Sequence, residues 1–280
     1  MYVYIRVGGG LGNQLFMLCA ALHYAEKTNR FLIVDTLQKE SGSVFANRQT
    51  YWNTCLMSKF LKQERVLDCT TVQLPPASKT IQEQRIAFDP LPLDDVEPRI
   101  DLAGYFQSPK YFTDTIALCF AIDMPENTLL KLRSKLNTDV DLDQCISLHV
   151  RRGDYLRLQH IYKVCDKSYF EGALRKLDPE ETRTVLVFSD DEKWPKTHLS
   201  ELHSKIVFID DNFDALESFI IMQHCRGGQI ISNSTFSWWA AYVAWIQSDR
   251  TVPVVCPKQW FAAEDKNVCE SMQCDGWHPL

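Results

Sequence analysis

The segment CISLHVRRGDY, residues 145–155, places fixed positive charge directly after a predicted strand. Its apolar run, residues 146–150, has the length of a strand in a parallel sheet. Arg151 and Arg152 follow it at once. Three interpretations of these charges are open: a structural ion pair, an adhesion tripeptide at residues 152–154, or a site that binds phosphate.

Strands and helices alternate throughout the second half of the chain. Apolar residues at helical spacing predict helices at 129–136, 169–177, 216–223 and 236–245. Short apolar runs predict strands at 146–150, 185–188, 206–209, 229–232 and 252–255. Such alternation with short connections predicts a parallel sheet that is covered by helices on both faces.

The N-terminal region predicts a second unit of the same kind. Tyr2–Val7 favours a strand, Leu15–Lys27 a helix and Phe31–Asp35 another strand, with a glycine-rich turn between the first two. Between Ser41 and Arg99 prolines and charged residues predict loops and short helices, and no strand is predicted there. The expected fold class is therefore α/β, with two Rossmann-like domains facing a central cleft.

Three ranges describe the expected domain organisation. Residues 1–125 form an N-terminal Rossmann-like domain with the glycine loop, residues 126–250 form a second Rossmann-like domain, and residues 251–280 add a strand and a tail. In open parallel sheets, ligands bind beyond the carboxyl ends of the strands. The residues that follow each predicted strand are accordingly the candidates for a binding site.

Composition restricts the classes of partner. The formal net charge is −6, and 45% of the residues are hydrophobic. This argues against a general nucleic-acid or anionic membrane surface, so an anion site has to be a local cluster. The N-terminus lacks a secretory signal, and no apolar run approaches the roughly 18 residues of a membrane helix. We expect a cytoplasmic protein without a membrane span, whose ten cysteines are free thiols.

The glycine loop follows the first predicted strand. Gly10 and Gly12 let the backbone approach a ligand, and Asn13 and Gln14 add side-chain donors for phosphate or sugar oxygens. A plain tight turn is the alternative. The loop matches neither the dinucleotide fingerprint nor the Walker A motif.

Two further strand ends carry polar residues. Ser189, Asp190 and Asp191 follow the strand at 185–188, where paired carboxylates can bind a metal or cap a helix that starts at Glu192. We expect no metal, because the DxD pattern of metal-dependent sugar transferases is absent.

Hydroxyl residues follow the strand at 229–232. Ser234, Thr235 and Ser237 lie at a predicted helix N-terminus, where hydroxyls both cap the helix and present donors to an anion. Residues 233–235 match the N-glycosylation pattern, but we expect no glycan without a signal peptide. Together the strand ends offer phosphate and sugar donors without a metal cage or a nucleophile–base pair. This combination favours transfer from a nucleotide-activated group.

Four motifs resemble the α-1,2-fucosyltransferases of glycosyltransferase family 11. They are GGLGNQ (9–14), HVRRGDY (149–155), FSDD (188–191) and SNSTFSWWAAY (232–242). The resemblance covers the chain from Val7 to about Val243. It implies a GT-B-type architecture, GDP-L-fucose as donor, a glycan acceptor, inversion at the sugar carbon and no metal cofactor. The linkage it implies is to O-2 of a galactose, in a form of the enzyme without a membrane anchor.

The resemblance also implies roles for individual residues. Arg151 grips the phosphates of GDP, His149 lies near the nucleotide, and Gly12 and Asn13 approach the donor. Residues lining the pyrophosphate and the fucose are Ser234, Thr235, Phe236 and Ser237. The family usually has an aspartate where this chain has Ser218, so Asp214, Glu217 or neither is expected to recognise guanine.

The charges of the opening segment then have an explanation. Negative charge develops on the departing GDP, and a fixed guanidinium stabilises it. We expect one arginine of the pair, Arg151, to act on the ligand and Arg152 to serve mainly the scaffold of the donor site. Asp154 is the candidate general base, with orientation of the arginines as its alternative role. A different metal-independent sugar transferase and a non-catalytic sugar-binding module are the alternatives to fucosyl transfer.

Overall fold

The structure is a computed structural model that describes residues 1–36, 51–69, 72–85, 87–263 and 266–280. The chain divides into two compact units. Unit 1 comprises Met1–Ala121 and Lys266–Met272, and unit 2 comprises Ile122–Asp265 and Gln273–Leu280. The boundary near residue 121 lies four residues before the expected one. The expected C-terminal tail is divided between the two units.

Unit 1 is built on a parallel sheet of five strands in the order β3-β2-β1-β5-β4. The strands are β1 (Tyr2–Arg6), β2 (Phe31–Asp35), β3 (Val66–Asp68), β4 (Lys79–Gln82) and β5 (Arg99–Ala103). Helix α1 (Leu11–Lys27) packs on β1 and β2. The short helix α2 (Asp114–Ala117) follows β5. The predicted βαβ unit at the N-terminus is therefore present.

Strands β3 and β4 lie between residues 41 and 99, where the sequence predicts loops and short helices and does not locate a strand. Strand β3 has three residues, and β4 has the sequence KTIQ, of which only Ile81 is partly buried. Both lack the apolar run that marks a buried strand. They form because β2 and β5 offer them parallel partners. The remainder of the predicted loop region includes residues 41–50, 70, 71 and 86, which lie outside the described residues.

Unit 2 is built on a parallel sheet of six strands in the order β11-β10-β9-β6-β7-β8. The strands are β6 (Cys145–Val150), β7 (Thr184–Ser189), β8 (Ile206–Phe208), β9 (Gly228–Ile230), β10 (Val254–Cys256) and β11 (His278–Pro279). The helices are α3 (Glu126–Leu136), α4 (Lys167–Leu177), α5 (Lys193–His198), α6 (Ala215–His224) and α7 (Thr235–Gln247). A further helix, α8 (Lys266–Met272), belongs to unit 1.

The strands and helices predicted for unit 2 are confirmed, with small differences at their ends. Strand β9 ends at Ile230, two residues before its predicted end, and the side chains of Ser232 and Asn233 form tertiary hydrogen bonds instead. Strand β10 begins at Val254. All ten cysteines are free thiols, as expected. In the described ranges no helix has the length and apolar character needed to cross a bilayer.

A buried carboxylate joins the end of α4 to the start of β8. Asp178 is 5% exposed and accepts hydrogen bonds from the Arg183 N–H (2.7 Å), the Thr182 hydroxyl (2.9 Å) and His203 Nε2 (3.1 Å). Burial alone raises the pKa of Asp178, but these hydrogen bonds outweigh it and lower the pKa to about 2. The ionised carboxylate therefore stabilises the fold.

Replacing Asp178 by Asn should lower the free energy of unfolding at pH 7 by about 2 kcal/mol, the value of a pKa depressed by nearly two units. The contribution is fully present above the unfolded pKa of about 4 and is lost as the pH falls through the folded pKa. The stability difference between wild type and the variant should therefore shrink between about pH 5 and pH 2.

Urea unfolding at a series of pH values measures this difference. Asp139→Asn is the matched control, because Asp139 is 91% exposed and its ion pair with Arg133 lies on the surface. A difference between wild type and Asp178→Asn that is independent of pH would contradict the assignment.

Candidate functional site

Three neighbouring strands of unit 2 end at the same edge of its sheet. Strands β7, β6 and β9 are adjacent and parallel, so the residues after their carboxyl ends lie side by side. Arg151 follows β6, Asp190 follows β7, and Ser232 and Asn233 follow β9. The structure thus brings together the predicted site residues of unit 2.

Arg151 is held in a fixed direction. Its Nη2 lies 2.6 Å from Asp154 Oδ1 and its Nη1 lies 3.0 Å from Asp190 Oδ2. Its guanidinium carbon lies 5.3 Å from the centre of the Tyr155 ring, within the range of a cation–π contact. The side chain is still 20% exposed. Arg151 is therefore part of an ion-pair network and also a cation that solvent reaches.

Asp190 connects both arginines. Besides its contact with Arg151, its Oδ1 accepts a hydrogen bond from the Arg152 N–H at 2.8 Å. Gly153 makes this close approach possible, since a Cβ at that position would lie 2.4 Å from Asp190 Oδ2. The carboxylate thus fixes the backbone and the guanidinium of the same turn.

Arg152 packs against Trp194 and lies near Asp191. Its guanidinium carbon lies 4.1 Å from the centre of the Trp194 ring, and its Nε lies 3.6 Å from Asp191 Oδ2. Asp191 Oδ1 also accepts the N–H groups of Lys193 and Trp194, each at 3.1 Å. Asp191 therefore caps α5, which begins one residue later than predicted.

Ser189 supports this cap, because its hydroxyl accepts the Asp191 N–H at 3.0 Å. Asp190 thus pairs with Arg151, and Asp191 caps the N-terminus of α5. Within the described residues no group of three or more His, Cys, Asp or Glu side chains has the arrangement of a metal site.

His149 lies behind Arg151 in the core. It is 5% exposed, its Nδ1 lies 3.0 Å from the Ser232 hydroxyl, and its ring centre lies 5.5 Å from that of Phe236. Burial, with the charge of Arg151 as a second cause, lowers the pKa of His149 to about 3. The imidazole is therefore neutral at physiological pH and fixes Ser232 without adding charge.

The N-terminus of α7 lies at the end of β9. The first N–H groups of a helix have no partner within the helix, and the helix dipole favours an anion there. Ser234 is the N-cap residue and is 6% exposed, while Thr235 and Phe236 are partly exposed. Ser237 is buried and donates its hydroxyl to the Ser234 carbonyl at 3.2 Å. The hydroxyl of Ser237 therefore serves the helix itself.

The two acids considered for guanine recognition cap α6. Asp214 Oδ1 accepts the Glu217 N–H at 2.8 Å, and Glu217 Oε2 accepts the Asp214 N–H at 3.0 Å. Glu217 also forms an ion pair with Lys131 at 2.7 Å. This reciprocal capping box engages both carboxylates. Both carboxylates therefore stabilise the start of α6 in this structure.

The glycine loop lies in unit 1, between β1 and α1. Gly9 has a φ of +77°, a conformation that favours glycine. Gln14 is 1% exposed and donates from Nε2 to the Gly9 carbonyl at 3.0 Å, so it shapes the loop from inside. Asn13 Oδ1 accepts from Gln107 Nε2 at 2.9 Å. Gly10 is the N-cap of α1, and Gly12 is buried in its first turn.

Sequence reasoning missed the side chains that support the arginines. Trp194 lies under Arg152, and the ring of Tyr155 lies beside Arg151 on one side and stacks on Tyr162 on the other. Asn233 is the first residue of a glycosylation pattern, yet it is 1% exposed and hydrogen-bonded inside the protein. No local pattern in the sequence indicates these contacts.

Comparison with solved structures shows the fold class. The fucosyltransferase NodZ from Bradyrhizobium has a TM-score of 0.53 at 14% identity, over 85% of this chain and 91% of NodZ. POFUT1 in complex with GDP has a TM-score of 0.52 at 12% identity, over 86% and 94% of the two chains. The fold is thus of the GT-B type, as predicted, with two Rossmann-like units.

Sequence comparison shows the family. The model of glycosyl transferase family 11 matches residues 102–279, and the chain belongs to that family. An α-1,2-colitosyltransferase of Escherichia coli is 26% identical over 95% of this chain and 94% of the relative. A galactoside 2-α-L-fucosyltransferase of Caenorhabditis elegans is 26% identical over 86% of this chain and 68% of the relative.

Replacing Gly153 by Ala should destabilise the protein by about 1–3 kcal/mol, the range for forcing an extra methyl group into a packed site. The added Cβ, 2.4 Å from Asp190 Oδ2, has to displace that carboxylate. Chemical denaturation measures the effect. Gly172→Ala is the matched control. Gly172 lies inside α4, and its added Cβ would meet Leu280 at 3.8 Å, an ordinary contact, so this variant should gain about 0.5–1 kcal/mol of stability. Equal stability of Gly153→Ala and wild type would show that Asp190 is not held against this turn.

Proposed function

We propose that this protein transfers L-fucose from GDP-L-fucose to a sugar hydroxyl, with inversion at the anomeric carbon and without a metal ion. The observation that carries the proposal is the position of Arg151. Its partly exposed guanidinium lies at the end of β6, and the neighbouring strand β9 leads into the N-terminus of α7. A cation and a helix N-terminus at adjacent strand ends suit a diphosphate.

The reaction breaks the bond between the anomeric carbon of fucose and the β-phosphate oxygen, whose electron pair leaves with GDP. The acceptor oxygen forms the new bond on the opposite face, and its proton passes to a base, either Asp154 or a water molecule. Arg151 stabilises the negative charge that develops on GDP, an interaction worth about 3–4 kcal/mol in a transition state. The N–H groups at the start of α7 act in the same direction. Asp154 and Asp190 keep the guanidinium aligned before the donor arrives.

Membership of the family supports a galactose O-2 as the acceptor position. A second donor, GDP-colitose, is supported by the alignment with the E. coli colitosyltransferase over nearly the whole chain. Colitose is the 3-deoxy form of L-fucose, so the two donors differ by one hydroxyl. A donor site that hydrogen-bonds the 3-hydroxyl of fucose strongly rejects colitose, because its polar groups are left unpaired. A site that is apolar at this point rejects fucose much less strongly.

The direct test incubates the purified protein with GDP-L-fucose or GDP-colitose and an array of galactose-terminated acceptors. Mass spectrometry identifies the product, and NMR gives its linkage and anomeric configuration. We expect transfer of fucose to O-2 of galactose. Transfer of colitose alone would change the donor but keep the reaction. Binding of GDP-fucose without transfer to any acceptor or to water would support a non-catalytic binding module instead.

Replacing Arg151 by Ala should reduce kcat by at least about 10²–10³-fold, because the leaving group loses its cationic partner. The fold should be retained, because Arg151 lies at a strand end and is not packed in the core. Steady-state kinetics with circular dichroism measures both. Arg175→Ala is the control for an exposed arginine, since Arg175 is 75% exposed and pairs with Glu171 on the surface of α4. Near-wild-type turnover of Arg151→Ala would refute the phosphate-binding role.

Replacing Asp154 by Asn separates two roles. The contact of 2.6 Å with Arg151 favours orientation of the guanidinium, and in that role the variant should bind GDP-fucose more weakly and turn over more slowly, with an unchanged pH profile. A general base instead predicts a loss of about 10²–10⁴-fold in kcat, nearly unchanged donor affinity and a flattened acid limb. Calorimetry and kcat between about pH 5 and pH 9 distinguish the two outcomes.

Chelation by EDTA should leave the rate unchanged, because Arg151 supplies the charge stabilisation that a divalent cation supplies in other transferases. Asp190 already contacts this arginine, and Asp191 caps α5. The measurement is the transfer rate with and without chelator. A rate that collapses and returns on addition of manganese would make the two aspartates metal ligands.

A further inference from the structure

Arg151 rests on an aromatic stack that two separate loops build. The Tyr155 ring lies beside the guanidinium and stacks on Tyr162, with ring centres 4.0 Å apart and planes 6° from parallel. Tyr162 in turn lies 5.7 Å from Phe261 and forms an isolated antiparallel bridge with it. The direction of Arg151 therefore depends on loop 154–163 and on loop 258–262.

The carboxamide of Asn233 joins these two loops. Its Nδ2 donates to the carbonyl of Lys163 at 2.5 Å and to the carbonyl of Trp260 at 2.8 Å. Its Oδ1 lies 3.9 Å from the thiol of Cys165, whose pKa burial raises to about 12. The thiol is therefore protonated and can donate. The side chain is 1% exposed, so each of these groups is satisfied inside the protein.

The main chain of Asn233 completes the connection. Its carbonyl accepts the Tyr155 hydroxyl at 3.1 Å, and the next residue, Ser234, is the N-cap of α7. One residue thus touches both loops of the stack and borders the helix that faces the same edge of the sheet. Few side chains can replace it: aspartate has no N–H groups, and alanine removes the side-chain donor from both carbonyls, so that the Lys163 N–H at 3.3 Å remains as a donor to the Trp260 carbonyl.

We propose that Asn233 is a positioning residue, whose carboxamide clamps loops 154–163 and 258–262 so that Tyr155 holds Arg151 in its direction toward the donor diphosphate. The inference rests on the proposed function, because it takes Arg151 as the phosphate-binding group. Asn233 acts through Tyr162 and Tyr155 and does not itself contact the substrate. Misalignment of a charged group by about 1 Å is enough to reduce turnover by about 10²-fold.

The chain provides a matched control in Gln229. It lies on β9, is fully buried, and donates from Nε2 to two backbone carbonyls, of Met222 at 2.8 Å and of Cys225 at 2.7 Å. Gln229→Ala therefore removes the same kind of buried carboxamide, four residues earlier in the chain, but its hydrogen bonds lie at the end of α6. Loss of stability alone affects both variants, whereas loss of positioning affects only Asn233→Ala.

The experiment compares Asn233→Ala, Gln229→Ala and wild type by hydrogen exchange, GDP calorimetry and steady-state kinetics. In Asn233→Ala, amides of the two loops should exchange faster, GDP should bind about tenfold more weakly, and kcat should fall by about 10–10²-fold. In Gln229→Ala, exchange should rise at the end of α6, with GDP affinity within about twofold of wild type. Tyr162→Ala, which removes the stack but keeps the carboxamide, should reproduce the weaker GDP binding if Asn233→Ala does not fold.

Two results would overturn the inference. Unchanged exchange in both loops of Asn233→Ala would show that the carboxamide is not a clamp. Equal GDP affinity and kcat in Asn233→Ala and Gln229→Ala would show that the clamp does not position Arg151. Failure of the proposed function is separate, because it appears in wild type as absence of GDP binding and of transfer. The exchange measurement then still decides whether Asn233 clamps the loops.

Discussion

The contact of Arg151 with two carboxylates and a tyrosine ring is the interaction on which the site depends. A free arginine side chain has many rotamers, and freezing them costs free energy when a ligand binds. Asp154, Asp190 and Tyr155 hold the guanidinium in one direction before any ligand arrives. Since Arg151 remains 20% exposed, the pre-oriented cation is still accessible.

Residues farther from Arg151 support its contacts with the two carboxylates and the tyrosine ring. Gly153 lets Asp190 approach the turn, and Asp191 anchors Arg152 and the start of α5. His149 stays neutral in the core and holds Ser232. The carboxylates of Asp154 and Asp190 weaken the attraction of Arg151 for any anion. The diphosphate site that we propose therefore also needs the N-terminus of α7.

The sequence predicted the parts of the fold in which local pattern and tertiary structure agree. Strands β6 and β7 are largely apolar and buried, and the sequence predicts both, whereas β3 and β4 are short or polar and form beside neighbouring strands. Arg151 was placed correctly at a strand end because parallel strands leave their carboxyl ends at one edge. The spacing of Asp214 and Glu217 is that of a capping box, and this signal was available in the sequence.

The supporting contacts could not be predicted in the same way. Tyr162, Asn233 and Phe261 are far apart in the chain, and their contacts arise only when the loops meet. The burial of Gln14 likewise depends on how α1 lies against the glycine loop. Asn233 lies within the motif at 232–242, but nothing in that motif shows which residues its side chain contacts, so its role becomes visible only from the distances in the structure.

A crystal structure of the complex with GDP tests the central claim most directly. We expect the β-phosphate within about 3 Å of the Arg151 guanidinium and of the first N–H groups of α7. Asn233 should still form hydrogen bonds to loops 154–163 and 258–262. A diphosphate held by a metal ion on Asp190 and Asp191, with Arg151 turned away from it, would contradict the account.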